Sequence, residues 1–300
     1  MRFFTIVTSF ILLSPSLARG CSSFACYYEN KPLYGMNFDW YPNAEILFDV
    51  REGEDGRRIF LMLYKLEGAD PVPVAGMNSL GLFSSLQVID RDTGIRQPQD
   101  DEAMIWMPFN MGLWEASDFG EIESQVDSVR LVQYDRIPLH VITAAPDRRA
   151  MIIEIGEEGN RTVEIGDDPF IVMTNFSVSE STGLPYDQAT GTGADRYISA
   201  WESLQSVRGA CDIDEALWVL ESALNESPEF PTRASMVFDP DDNVVYVAVD
   251  GNMEKVWRIS LSQRTVSDYR GLPEALWYEL PDEGITSQEL SLRVEGAGSP

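Results

Sequence analysis

Gly20-Cys21-Ser22-Ser23-Phe24 and Gly35-Met36-Asn37-Phe38-Asp39-Trp40 are the two runs on which the reading of this chain turns. Each reads as a strand, and Lys31-Pro32 between them marks a turn. The spacing predicts a hairpin that brings Asp39, eighteen positions on, back beside Cys21. A cut before Cys21 would leave that residue with a free α-amine next to its own thiol. One residue would then hold both a nucleophile and a base.

The residues ahead of Cys21 predict such a cut. Residues 1–20 read as a secretory signal: Arg2 supplies a positive start, Phe3 to Leu13 an apolar run, and Ala18-Arg19-Gly20 small residues at the two inspected positions. That run is about half the ~20 residues a membrane span needs, and no later stretch is long enough. The expectation is a secreted or periplasmic chain with no integral membrane segment. Lipoprotein processing at Cys21 is the competing expectation, disfavoured by Ala18 and Arg19 where a Leu-like and a small residue belong; it would also block the α-amine.

The charge is extreme. The chain has 49 acidic and 22 basic residues, and losing Arg2 and Arg19 with the signal would take the net charge from −27 to −29. Such a surface repels nucleic acid and anionic membranes, so neither is an expected partner; adaptation to a salty habitat accounts for it. The 44% apolar content, with 7 Trp, 14 Phe and 11 Tyr, is ample for a large core, and the sequence offers no linker or repeat to divide it. Residues 21–300 are therefore expected to form a single domain, with an acidic, peripheral tail from about residue 272. An odd cysteine count (Cys21, Cys26, Cys211) means a free thiol or an intermolecular link, and a Cys26–Cys211 bridge would leave Cys21 free. No Cys/His spacing suggests a metal. No cofactor is expected, and the oligomeric state is left open.

Past the hairpin, strands are predicted at Ile46–Val50, Arg58–Tyr64 and Leu80–Ile89, and helices over Glu102–Ala116 and Gly120–Val132. Strands follow at Leu139–Ala144, Ala150–Ile155, Arg161–Ile165 and Phe170–Asn175. A Gly/Thr/Ser-rich loop then leads into helices Ala194–Gln205 and Ile213–Asn225, and strands Ala234–Phe238, Val244–Val249 and Val256–Leu261 close the series. Strands interrupted by two helical pairs do not make a doubly wound sheet, which needs regular alternation. The order predicts an α+β fold with two antiparallel sheets face to face, each covered by a helical pair.

Read in order, Cys-Ser-Ser-Phe, Gly-x-Asn-Phe-Asp-Trp, Gly76-Met77-Asn78-Ser79-Leu80-Gly81-Leu82, Pro138-Leu139-His140 leading to Asp147 and Ile153-Glu154, Met173-Thr174-Asn175, and Arg196 before an aromatic form a series. It resembles the choloylglycine hydrolase and penicillin V acylase group of N-terminal-nucleophile hydrolases over about residues 21–250. The resemblance implies a four-layer αββα fold and hydrolysis of linear amide C–N bonds through an acyl-cysteine. It also implies roles: Cys21 as nucleophile, Asp39 holding the amine, Asn175 in the oxyanion hole and Arg196 supporting the site. Gln87 is the nearest candidate for a further polar residue on the strand after Gly81-Leu82, with a one-residue shift. Met36 and Asn37 are further candidates for contact with substrate or oxyanion, although Met36 stands where many members carry an arginine, which weakens assignment to bile salts.

The chemistry is consistent with these types. A thiol titrates near about 8.5 and an α-amine near about 7.7–8.0, so the amine can serve as base for its own thiol while Asp39 orients it. The implied partner is a small N-acyl amide with an apolar acyl part. Two alternatives stand beside an amidase: an acyltransferase using the same acyl-cysteine, and a non-catalytic acidic exported binding protein or lipoprotein. Asp39 also reads as a turn cap and Asn175 as a turn residue. Arg196 opens a helix, where a cation opposes the dipole and needs an acidic partner or a substrate. His140, the sole histidine, reads as a strand residue with a structural hydrogen bond, and the Met/Trp-rich 104–114 stretch as core rather than a binding lip.

Overall fold

The middle strands of this chain carry apolar residues on both faces, as in Val244–Val249 and, Glu154 apart, Ala150–Ile155, and every residue in those two is buried. A strand of that kind is stable only with cover on both sides, which calls for layers. The computed structural model describes residues 20–65, 70–91, 94–133, 137–272 and 276–296. The expected signal segment lies outside them except for Gly20.

In chain order the structure has β1 (Cys21–Cys26), β2 (Leu33–Asp39), β3 (Glu45–Glu52), β4 (Arg58–Lys65), β5 (Val72–Asn78) and β6 (Phe83–Val88). The first helical layer follows, with a short β7 (Glu102–Met104), α1 (Met107–Asn110), a π-turn at Met111–Glu115, α2 (Phe119–Ser128) and β8 (Arg130–Val132). Next come β9 (Leu139–Ala144), β10 (Ala150–Ile155), β11 (Asn160–Glu164), β12 (Phe170–Met173), α3 (Val178–Ser181), α4 (Ala194–Ser206) and α5 (Ile213–Ser222). The chain closes with β13 (Thr232–Asp239), β14 (Val244–Val249), β15 (Val256–Ser260), β16 (Thr265–Arg270), β17 (Trp277–Glu279), β18 (Ile285–Thr286) and α6 (Ser287–Gly296).

Two eight-stranded antiparallel sheets result. The first is ordered β12-β1-β2-β13-β14-β15-β16-β17 and the second β11-β10-β9-β6-β5-β4-β3-β18. Tyr34, Phe83 and Phe238 interlock between the sheets, with ring centroids 5.2 and 4.8 Å apart. Phe109, Leu113, Phe119 and Ile122 pack α1, the π-turn and α2 onto the outside of the second sheet, against Leu61 and Leu86. On the outside of the first sheet lie α4 and α5, the latter started by a capping box between Asp212 and Glu215. The predicted α+β, two-sheet architecture is thus the observed one.

Three expectations change. Glu102–Ala116 is not one helix: Glu102–Met104 pairs in parallel with Arg130–Val132, and the helix starts only at Met107-Pro108, where proline fits the first turn and cannot sit deeper. The helix read over Gly120–Val132 stops at Ser128, and the β-branched Val129 and Val132 belong to the strand side of that break. The tail read as peripheral is built in: β17 extends the first sheet, β18 pairs with β3, and Leu280, Ile285 and Leu290 are buried. Cys26 and Cys211, the two that a bridge would join, are free buried thiols lying side by side.

Candidate active site

β1 starts at Cys21, between β12 and β2, and its register sets Cys21 opposite Phe38 and Ser22 opposite Asn37. Successive side chains of a strand point to opposite faces. Cys21, Ser23, Met36 and Phe38 therefore face the second sheet, where Ser23 Oγ meets Ser85 Oγ at 3.2 Å. Ser22, Asn37 and Asp39 face the helices. The strand itself separates two environments.

On the helix side stands Arg196, in the first turn of α4. Its Nη1 donates to Asp39 Oδ2 (3.0 Å), Ser22 Oγ (3.0 Å) and the Cys21 carbonyl (2.9 Å), and its Nη2 to Asn175 Oδ1 (2.8 Å). The cation that opposes its helix dipole thus has an acidic partner, Asp39, which is 0% exposed. The other carboxylate oxygen accepts from Thr232 Oγ1 at 2.6 Å. Burial pushes the Asp39 carboxyl up to about 7, against the pull of Arg196, Thr232 and Asn225. Two glycines make the slot for the guanidinium: a Cβ on Gly20 would lie 2.5 Å from Arg196 Nη2, and one on Gly193, at φ +78°, 2.6 Å from it.

Asn175, just past β12, joins the two sheets. Its Oδ1 accepts from the Cys21 backbone N–H (3.0 Å) as well as from Arg196, its Nδ2 donates to the Val88 carbonyl (2.6 Å), and its own carbonyl accepts from the Asp90 N–H (2.6 Å). Two donors on one oxygen fix which end of the amide is which. Asn175 therefore meets Cys21 through its oxygen, and one of the two hydrogens on its nitrogen is committed to Val88. The nitrogen of Cys21 is held by Asn175, while Asp39 meets Cys21 through its backbone N–H, directed at the thiol.

On the opposite side, Cys21 lines a cleft of about 790 Å³, its open mouth included. Phe38, Trp40, Tyr64 and Trp106 form an aromatic wall, and Val74, Leu86, Val88 and Leu139 help form an aliphatic one. No charged side chain lines it among the described residues. Gln87 reaches it from β6: with its Oε1 accepting from Ser23 Oγ (2.6 Å) and Ser23 N–H (3.1 Å), its Nε2 donates to the Cys21 carbonyl (3.3 Å). Burial first, and the Asp39 carboxylate second, push the Cys21 thiol up to about 12, although the Asp39 N–H and Arg196 act the other way. A thiol held there is almost wholly protonated at neutral pH and needs a base to act.

Cys21, Asp39, Asn175, Arg196 and Gln87 are thus brought together. Met36 and Asn37 are not. Met36 is fully buried between the sheets, its sulfur accepting from Ser85 Oγ (3.3 Å), and it does not line the cleft. Asn37 turns to the other face and donates from Nδ2 to the carbonyls of Leu220 (2.8 Å) and Ala223 (3.0 Å) at the end of α5. Trp106 makes the 104–114 stretch part wall and part core. The sequence reading missed Ser22, Thr232 and the aromatic wall. Phe38 was within reach, since it lies opposite Cys21 in any hairpin that brings Asp39 back.

Solved structures share this fold. Two variants of the conjugated bile acid hydrolase from Clostridium perfringens superpose with TM-scores of 0.59 and 14% identity, covering 87% and 88% of this chain and 97% and 98% of theirs. Penicillin V acylase from Agrobacterium tumefaciens follows at TM-score 0.55 and 14% identity, over 83% of this chain and 90% of that one. This chain has the fold of those enzymes. The resemblance expected from the motifs is borne out at the level of the fold. No family model matches the sequence, and no curated protein matches it.

Proposed function

We propose that this chain is an exported amidase, matured by cleavage before Cys21, that hydrolyses N-acyl amides of apolar carboxylic acids through an acyl-cysteine. One observation carries the reading: the Cys21 thiol opens into an uncharged apolar cleft, while its main chain is pinned from behind by Asn175 and Arg196. The shared fold with two amide-cleaving enzymes supports the reaction class.

While Gly20 is attached, the Cys21 nitrogen is an amide with a single hydrogen, given to Asn175. Removing Gly20 turns it into an amine with further hydrogens to give and a lone pair that can take the thiol proton. The thiolate attacks the amide carbonyl, and the oxyanion that forms is met by the second hydrogen on Asn175 Nδ2 and by a backbone N–H. Losing one such donor costs about 10²–10³ in rate. The ammonium then protonates the leaving nitrogen as the C–N bond breaks. Water, deprotonated by the same amine, attacks the thioester and releases the carboxylic acid and the thiol.

The acyl group would fill the cleft. Burial of apolar surface stabilises it by about 25 cal/mol per Å², and the absence of a cation among the described lining residues means that nothing there rewards an anionic acyl group. The test is a panel of N-acyl amides, with aliphatic and aryl acyl groups, given to the mature protein. Amine release by the native chain and none by Cys21→Ala is expected. No release from any member, or equal release by both proteins, would refute the assignment.

A further inference from the structure

A buried carboxylate on the second sheet holds the segment that carries Asn175. Glu154, on β10, is 0% exposed. It accepts from Ser177 Oγ (2.6 Å), the Val178 N–H (2.8 Å) and Ser179 Oγ (2.6 Å), which form the first turn of α3 and begin two residues after Asn175. His140 Nδ1 lies 3.4 Å from it. Burial works to raise this carboxyl, yet the His140 contact and the two hydroxyls outweigh it and hold it at about 2. A buried charge is costly unless it is paired and hydrogen-bonded throughout. Capping a helix of four residues would not by itself need one.

The second link runs across the sheet. His140 and Gln87 are register partners on β9 and β6, and Glu154 stands across from His140 as the β9–β10 register continues. Side chains directly opposite on neighbouring strands share a face, with Cβ atoms about 5 Å apart. Glu154, His140 and Gln87 thus form one lateral row on the face toward the first sheet, and the row ends at the Gln87 amide against Ser23 and the Cys21 carbonyl. From one carboxylate, hydrogen bonds reach the segment whose Asn175 holds the Cys21 nitrogen, and a row of neighbouring side chains, His140 then Gln87, leads to its carbonyl.

We infer that Glu154 is a positioning residue for Cys21, fixing the orientation of its nitrogen and carbonyl so that amine and thiol meet. It touches no substrate. The inference rests on the assignment of Cys21 as nucleophile. A displacement of about 1 Å at such a centre can cost about 10²-fold in rate.

The test compares the mature protein with Glu154→Gln and with the double variant Ser177→Ala/Ser179→Ala. Four quantities are read: the rate of Cys21 alkylation by iodoacetamide (from the mass of the N-terminal peptide), kcat and KM on an amide that the native protein cleaves, and Tm. Alkylation rate and kcat are expected to fall together by about 10- to 100-fold, with KM within about twofold, in Glu154→Gln and in the same direction in the serine variant. Native alkylation rates in both variants would overturn the inference, whether or not Tm falls. Should Glu154→Gln not fold, the serine variant decides. Alkylation needs no substrate, so a native protein that cleaves no amide refutes the proposed function and leaves the rate comparison standing.

Discussion

The two sides of β1 divide the labour of this site. Toward the helices, Arg196, Asp39, Ser22, Thr232 and Asn175 form a dense polar cluster in which the guanidinium and the carboxylate are both partnered. Toward the second sheet, the same strand presents the Cys21 thiol to a cleft without a charge among its described lining residues. The charged groups hold the backbone of the nucleophile, whereas the apolar groups are placed to hold a substrate. A charge on the helix side acts on a substrate only through the cysteine between them.

That division can be broken from either side. Cys21→Ala should abolish turnover with little change in Tm, as measured by amine release and by calorimetry. Arg196→Leu comes next, because it strands the buried Asp39 carboxylate; about 3–5 kcal/mol of stability should go with the activity, seen as a lower denaturant midpoint. On the cleft side, Leu139→Ala should leave the Cys21 alkylation rate unchanged and weaken long acyl chains by up to about 2 kcal/mol, roughly 30-fold in KM. Equal effects of that substitution on alkylation and on KM would show that the two sides are not separate.

The smallest expected effect sharpens the comparison. Asp39, raised to about 7 by burial, must be ionised to hold Arg196. The acid limb of kcat/KM then belongs to Asp39 and the α-amine together. Thr232→Val removes a hydrogen bond that favours the carboxylate, so this limb should move to higher pH. A limb that stays in place would mean that Asp39 does not titrate in the working range.

Much of the helix side was legible in the sequence. The Cys21–Asp39 hairpin follows from two strands and a proline turn, and a cation at the wrong end of a helix calls for an acidic partner or a substrate, of which the structure supplies the acid, Asp39. Gln87 is found by counting along its strand. Asn37 misled because it lies in the same contiguous run as Met36, Phe38 and Asp39, and strand alternation sends its side chain to the opposite face from Cys21. Thr232 was not legible: it meets Asp39 across 193 positions, beside a register shift in the β2–β13 pairing. Nor was the aromatic wall, since Phe38, Tyr64 and Trp106 come from three separate segments. The β5 strand was hidden by its prolines; Pro73 is tolerated because the register against β4 shifts there and β6 pairs only with Ala75 to Met77.

The most direct measurement is the mass of the N-terminal peptide of the exported protein, before and after an acid-quenched incubation with a cleaved amide. The account predicts a chain beginning at unmodified Cys21 that gains the mass of the acyl group on that residue during turnover. A lipid on Cys21, a start at another residue, or turnover without an acyl adduct on Cys21 under conditions that trap a thioester would contradict it.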